Sequence, residues 1–265
     1  SMAMTRLYLG QDMTQLEVFC LDTPEVIPNW VQDTRGGVSI LAVRQVARAL
    51  QGKTQYRTAD NVLSDDEHRT SEYMAYLDAH ARNVDKPRDI YFGLAMIPLF
   101  LFGHHEKAIQ VGTRLLETIH RLWSARVSYL VYFYLSLSLL TLHNDYPTQG
   151  YIDAKMETIL TYKAEIDFAR SCSDANYGMW ALLLEALISE VRADYSAAIQ
   201  SYEAAIDHCQ VHGWLLEEAL ALELQGEFLI RRGAKRAARA VIQEAISAWS
   251  SISASGKAAM VAEKH

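Results

Sequence analysis

His208 and His212 stand four residues apart, with Cys209 beside the first of them. On a helix that spacing turns two imidazoles toward one point, which is the usual start of a metal site. The residues between them are Cys209, Gln210 and Val211, so the glutamate of a zinc-protease helix is missing. The sequence names no third ligand, so neither a metal nor a cofactor is expected. Two histidines near a helix C-terminus, where positive charge is favourable, are the simpler expectation. His104-His105-Glu106 could make an acid–base or metal cluster, but it reads as a turn with an acidic residue in the first turn of a helix. Cys172 and Cys209 could sense redox state only in an electropositive setting, and Arg170 is the one nearby cation in the sequence. Buried, inert thiols are expected instead. Ser64-Asp65-Asp66-Glu67 reads as a capping box rather than a pair of catalytic carboxylates. No nucleophile elbow, phosphate-cradling glycine loop or CxxC pair occurs. No catalytic residues are expected, and the chain is read as a non-enzyme; an α-helical enzyme with scattered catalytic residues is the weakest alternative.

Arg231, Arg232, Lys235, Arg236 and Arg239 form a local basic strip that straddles two helices. The strip could meet an acidic partner, and a solvated surface is its simpler account. The net charge of −7 disfavours a nucleic-acid or anionic-membrane surface. Three scattered cysteines make no disulfide framework, so a reducing, cytoplasmic setting is expected. Val127–Leu142 is apolar but short for a membrane span. Ser1-Met2 reads as a cloning remnant, and the expectation is a piece of a longer protein.

These residues must be held by helices. Residues 1–35 are irregular in pattern, with Pro24 and Pro28 as punctuation and room for a short helix around Asp12–Phe19. Val38–Leu50 carries a broad apolar stripe, and a second helix starts at Ser64 and runs to about Val84. Further helices are expected over 89–102, 105–122, 126–143, 150–172, 176–192, 195–211, 214–231, 234–251 and 255–264. Their short hydrophilic breaks imply antiparallel neighbours. The fold class is all-α, and an elongated helical array or two domains would both bury the core that this length allows.

Two late stretches repeat at forty residues. Ala186, Ala198, Tyr202, Ala205 and Ile206 recur as Gly226, Ala238, Ile242, Ala245 and Ile246. Small residues fall where two helices approach, and large apolar residues where they lock. The steps resemble the tetratricopeptide (TPR) pattern, with longer helices and without its turn-final proline. An earlier unit, Tyr91–Leu116, has the same outline through Phe92, Met96, Ala108 and Leu115, with Gly112 at a usually large position. The chain therefore divides into an irregular segment, 1–35, and a TPR-like domain of stacked antiparallel hairpins, 36–265, clearest at 176–212 and 214–252. The resemblance implies a concave groove lined by Trp180, Leu183, Leu187 and Glu190 in one repeat and by Leu220, Glu223, Glu227 and Arg231 in the next. An apolar patch beside an acidic one would suit an amphipathic or basic peptide.

Three stretches go further: Val43-Arg44-Gln45 with Arg48-Ala49-Leu50-Gln51-Gly52; Val62-Leu63-Ser64-Asp65-Asp66-Glu67 with Tyr73 and Tyr76-Leu77; and Ala175-Asn176-Tyr177-Gly178-Met179 through Ala245. Together they resemble the helical-repeat region of large fungal and bacterial signalling proteins. In that family a protein-kinase-like domain and an AAA-type ATPase domain precede the region, and GAF and hybrid histidine-kinase domains follow it. The family's aromatic-rich continuation is replaced here by Ala248-Trp249-Ser250-Ser251. The resemblance implies a non-catalytic scaffold or regulatory domain in two-component signal transduction. Its partner would be a protein or peptide, or another domain of the same polypeptide, with no nucleic acid and no membrane; the oligomeric state is left open. The alternative is a small-ligand sensor with an apolar pocket among Phe100, Trp123, Tyr129, Tyr132, Phe133 and Tyr134.

Overall fold

Five prolines in 265 residues leave most of the chain free to be helical, and the apolar residues recur at helical spacing. The computed structural model describes residues 2–26, 35–81, 84–122, 126–145 and 149–265, and among them every regular element is a helix. In chain order these are α1 (Met2–Tyr8), α2 (Met13–Val26), α3 (Arg35–Leu50), α4 (Thr70–His80), α5 (Asp85–Leu101), α6 (His105–Leu116) and α7 (Arg126–Asp145). There follow α8 (Gln149–Cys172), α9 (Asp174–Val191), α10 (Tyr195–His212), α11 (Leu215–Arg231), α12 (Lys235–Ser251) and α13 (Ser255–Lys264). Short 3-10 turns lie at Ala59–Asn61 and Ile119–Leu122. From α5 onward each helix packs on the next, as short connections require. No helix among the described residues is long and apolar enough to cross a membrane.

The repeat residues do what their sizes suggest. Ala186, Ala198, Tyr202 and Ala205 are all fully buried between α9 and α10. A Cβ added at Gly226 would sit 2.5 Å from Ile242 Cδ1, so α11 and α12 approach as closely as a missing side chain allows. Caps fix the ends of α10. The Asp194 carboxylate accepts from Ala197 N at 3.1 Å, and Gly213 closes the helix in the left-handed region at φ 73°. In the earlier unit a Cβ at Gly112 would meet Met96 Cε at 3.0 Å, so the glycine makes room for its partner on α5.

Two local expectations need correction. Residues 2–26 are not irregular but form α1 and α2, with Leu7, Met13, Leu16 and Cys20 buried. Such short helices gain stability from tertiary packing rather than from their own sequence. The segment at Ser64 is a turn, not a helix start. Asp65 Oδ1 accepts from Glu67 N at 2.9 Å and His68 N at 2.8 Å, Ser64 Oγ accepts from Thr70 N at 3.1 Å, and Glu67 pairs with Arg44. The helix begins at Thr70 and ends at His80.

The early helices reach the last ones. Met13 N donates to Ile252 O at 2.8 Å, and Ser255 Oγ donates to Gln51 O at 3.2 Å. A Cβ at Gly256 would lie 2.4 Å from Gly52 Cα, so here the two backbones touch. This seam brings α1 beside α7, α9 and α11.

Candidate functional site: an aromatic cage around Arg126

Arg126 opens α7 and points into the seam. Its guanidinium carbon lies 4.3 Å from the Trp180 ring centre, 4.4 Å from Trp214, 5.1 Å from Tyr177 and 5.2 Å from Tyr8. Rings on several sides attract a cation through their quadrupoles, by about 0.5–2 kcal/mol for a desolvated contact. One guanidinium nitrogen, Nη1, donates to Asn176 O at 2.7 Å. The Nε and Nη2 nitrogens are buried and meet no hydrogen-bond acceptor.

Glu217, on α11, supplies the opposing charge. Its Oε1 accepts from Trp180 Nε1 at 3.2 Å and lies 3.9 Å from Arg126 Nη2. Its Oε2 is buried without a partner, as is the Tyr8 hydroxyl. Burial pushes the Glu217 carboxyl up to about 7, against the pull of Arg126. Burial likewise works against the charge on Arg126, with Glu217 opposing that shift. Four polar atoms from three residues thus lie unsatisfied in one place. Buried polar atoms almost always find partners, so this concentration sets the cage apart from the rest of the core.

A cavity of about 460 Å³ opens beside the cage, lined by Tyr8, Arg126, Asn176, Tyr177, His212 and Trp214 among others. That volume suits a small molecule. Trp214 is held in place by its own Nε1–H, which donates to Ala175 O at 2.7 Å. The walls come from α1, from the start of α7 and from the α9–α11 region, so the cavity exists only once α1 has packed against them.

The residues expected to line a partner groove are buried or paired within the chain. Trp180, Leu183, Leu187 and Leu220 are at most 1% exposed, and Trp180 stacks on Phe133 of α7 at 5.0 Å. Glu190 is buried and held by Arg231 through two bonds of 2.7 and 2.9 Å. Glu223 accepts from Trp249 Nε1 at 2.9 Å and from Lys257 Nζ at 2.6 Å. Lys257 is itself 1% exposed and also donates to Leu101 O. Glu227 pairs with Lys264 and lies near Arg231 and His265. Burial works to raise the Glu227 carboxyl, but the hydrogen bond from His265 and the charge of Lys264 bring it down to about 2. The face expected to form a groove is thus covered by the chain's own α7 and α13. Large apolar side chains on an inner helix face are covered by the next layer, because leaving them in water is costly.

The other candidates resolve as follows. Asp174, on α9, joins His208 and His212, so the third potential ligand exists although it lies 34 residues upstream of His208. His104 Nε2 bonds to Tyr56 O at 2.7 Å, and His105 packs on Phe100, its imidazole pushed down to about 4 by burial. Cys209 is buried and its thiol pushed up by desolvation, as expected of an inert cysteine, whereas Cys172 is exposed. In the basic strip, Arg231 serves Glu190 and Arg232 covers the Tyr195 ring at 4.2 Å; Lys235, Arg236 and Arg239 are exposed. Of the aromatics expected to form a pocket, Phe100, Phe133 and Tyr134 are core, while Tyr129 and Tyr132 pack on Tyr177 and Tyr162. Trp123 lies outside the described residues. Sequence reasoning missed Arg126, Glu217 and Tyr8. The signal available was an arginine opening an otherwise apolar helix and a glutamate at an inward position of α11.

Fold and site together define an all-α protein with a charged, ring-lined interior centre. No protein-family model matches the chain, and neither a curated protein nor a solved structure matches it.

Proposed function

We propose that this protein is a non-catalytic, divergent TPR-like helical module that binds a small acidic molecule in the Arg126 cavity. The observation that carries this reading is the set of unsatisfied polar atoms of Arg126, Glu217 and Tyr8 beside a ring-lined cavity of about 460 Å³. Arg126 offers two N–H groups suited to a carboxylate or phosphate. Trp214 and Tyr177 offer faces for a flat apolar body. The buried glutamate favours ligands that bring a hydrogen-bond donor next to the acid. Because α1, α7, α9 and α11 all contribute walls or charges, an occupied site would tie α1 to the later helices. That is the behaviour of a regulatory domain, in keeping with the signalling proteins whose helical-repeat region the sequence resembles.

The test is a titration followed by tryptophan fluorescence, since Trp180 and Trp214 both stand in the cage. Aromatic carboxylates would be compared with their neutral amides. Acids should give saturable changes that the amides do not, Arg126→Gln should abolish them, and Arg126→Lys should retain part. Ligand recovered after incubation should be chemically unchanged. Equal responses to acid and amide, or undiminished binding by Arg126→Gln, would remove this reading.

A second reading rests on a different observation: α13 seats Lys257 on Glu223 and Lys264 on Glu227. The groove thus accepts a basic, partly apolar helix, the chemistry expected of a docking partner. In that reading a neighbouring domain exchanges with α13. Deleting residues 255–265 should then create affinity for basic amphipathic peptides, measured by fluorescence anisotropy, and no gain in affinity would exclude it.

A further inference from the structure

The α9–α10 hairpin brings a carboxylate and two imidazoles together at its surface, on the edge of the cavity but apart from the cage. Asp174 stands in the first turn of α9, and His208 and His212 lie one turn apart near the end of α10. One ligand atom from each lies within 4.8 Å of the other two. His208 Nε2 is 3.4 Å from Asp174 Oδ2. Two ligands of a tetrahedral ion, each about 2.1 Å from it, stand about 3.4 Å apart. The two histidine rings have centres 4.5 Å apart, so a modest rotation of the exposed His212 completes the triangle.

The surroundings favour a metal over a simple ion pair. Arg170 Nε donates to Asp174 Oδ1 at 2.7 Å, which fixes the carboxylate and leaves Oδ2 toward the histidines. The carboxylate is thus oriented by an outer partner. The His208 side chain is only 9% exposed, and its Nδ1 is buried with no partner. Gly178 makes this placement possible. A Cβ there would lie 2.4 Å from His208 Nε2, so any side chain would push the imidazole away from Asp174. His208 Nε2 donates to Asp174 O at 3.0 Å, so an incoming ion must displace that proton and take the place of this hydrogen bond before Nε2 can act as its ligand.

We propose that Asp174, His208 and His212 form a binding site for a divalent transition-metal ion, best matched to Zn²⁺. Two imidazoles and one carboxylate suit this ion's preference for nitrogen and oxygen donors in a tetrahedron, and they leave a fourth position for solvent or an incoming ligand. The ion would link α10 to α9, and through His212 it would border the cavity that also holds Arg126. The site stands on its own geometry and does not depend on what occupies that cavity.

The experiment titrates the tag-free 265-residue chain with Zn²⁺ in competition with a chromophoric chelator. One equivalent should bind to the unaltered protein. Asp174→Asn and His212→Ala change exposed side chains and should each weaken binding by about tenfold or more. Cys172→Ser should leave it unchanged, which separates this site from capture by the exposed thiol two residues from Asp174. Circular dichroism of each variant checks that the helices persist. No stoichiometric uptake overturns the proposal, as does equal uptake by His212→Ala or loss confined to Cys172→Ser.

Discussion

The Arg126 cage and the Glu223–Lys257 groove are both buried charge sites, yet they are built in opposite ways. In the groove, Glu190, Glu223 and Glu227 each meet a basic side chain, and Glu223 also takes an indole N–H. In the cage, the nearest approach of the two charges is 3.9 Å, and polar atoms of Arg126, Glu217 and Tyr8 lack partners. Satisfied buried charges act as a latch, because each partner repays the other's desolvation. Unsatisfied ones stay costly until something meets them. The contrast separates a place where the molecule holds itself from a place suited to holding something else.

The largest effect should come from breaking the latch. Glu223→Ala leaves Lys257 buried without its counter-ion and should cost about 3–5 kcal/mol of stability in chemical denaturation. The double variant Glu223→Leu/Lys257→Met should recover most of that loss, since no lone charge remains. A small cost for the single variant would mean that the groove is as loosely satisfied as the cage. Arg126→Gln should cost less, about 2 kcal/mol, because ring contacts are lost but an unmet desolvation cost is relieved. A larger cost than that of Glu223→Ala would make the cage a structural latch as well.

The pH dependence sharpens the comparison. Glu217 titrates near 4.5 in the unfolded chain and is raised to about 7 in the fold. Between these values the folded state binds more protons, so this group lowers stability as pH rises from 4.5 to 7, with no further change above. Glu227 has the opposite sign. Its folded value of about 2 adds stability that is fully present above about 4.5 and is lost as pH falls toward 2. Glu217→Gln should flatten the first slope and leave the second, as read from denaturation midpoints at pH 2 to 8. An unchanged slope between pH 4.5 and 7 would remove Glu217 as its source. The smallest effect belongs to the exposed pair Arg69–Glu72, where Arg69→Ala should change stability by less than about 0.5 kcal/mol.

What could be read before the structure follows from the range of each interaction. Helix periodicity and small residues at forty-residue spacing are local or self-repeating signals, and they foretold α9 through α13 to within about two residues. The N-terminal helices were less legible, because they are short and are held by packing on α3 and by the bond from Met13 N to Ile252 O. The capping box at Ser64 was misread since Asp65 closes a local turn instead of a helix. The third ligand beside His208 and His212 could not be named because it lies on a different helix.

The sequence by itself determined that the described chain is helical, where most helices stop, and which residues let paired helices approach. Gly226 and Ala186 encode that approach without reference to anything distant. Only the tertiary structure decided that Trp180 and Leu220 are interior, that Lys257 rather than a partner meets Glu223, and that Tyr8, Arg126 and Glu217 share one centre. Those outcomes depend on contacts between residues far apart in the chain, such as the close approach of Gly52 to Gly256. No single stretch of sequence carries both partners of such a contact.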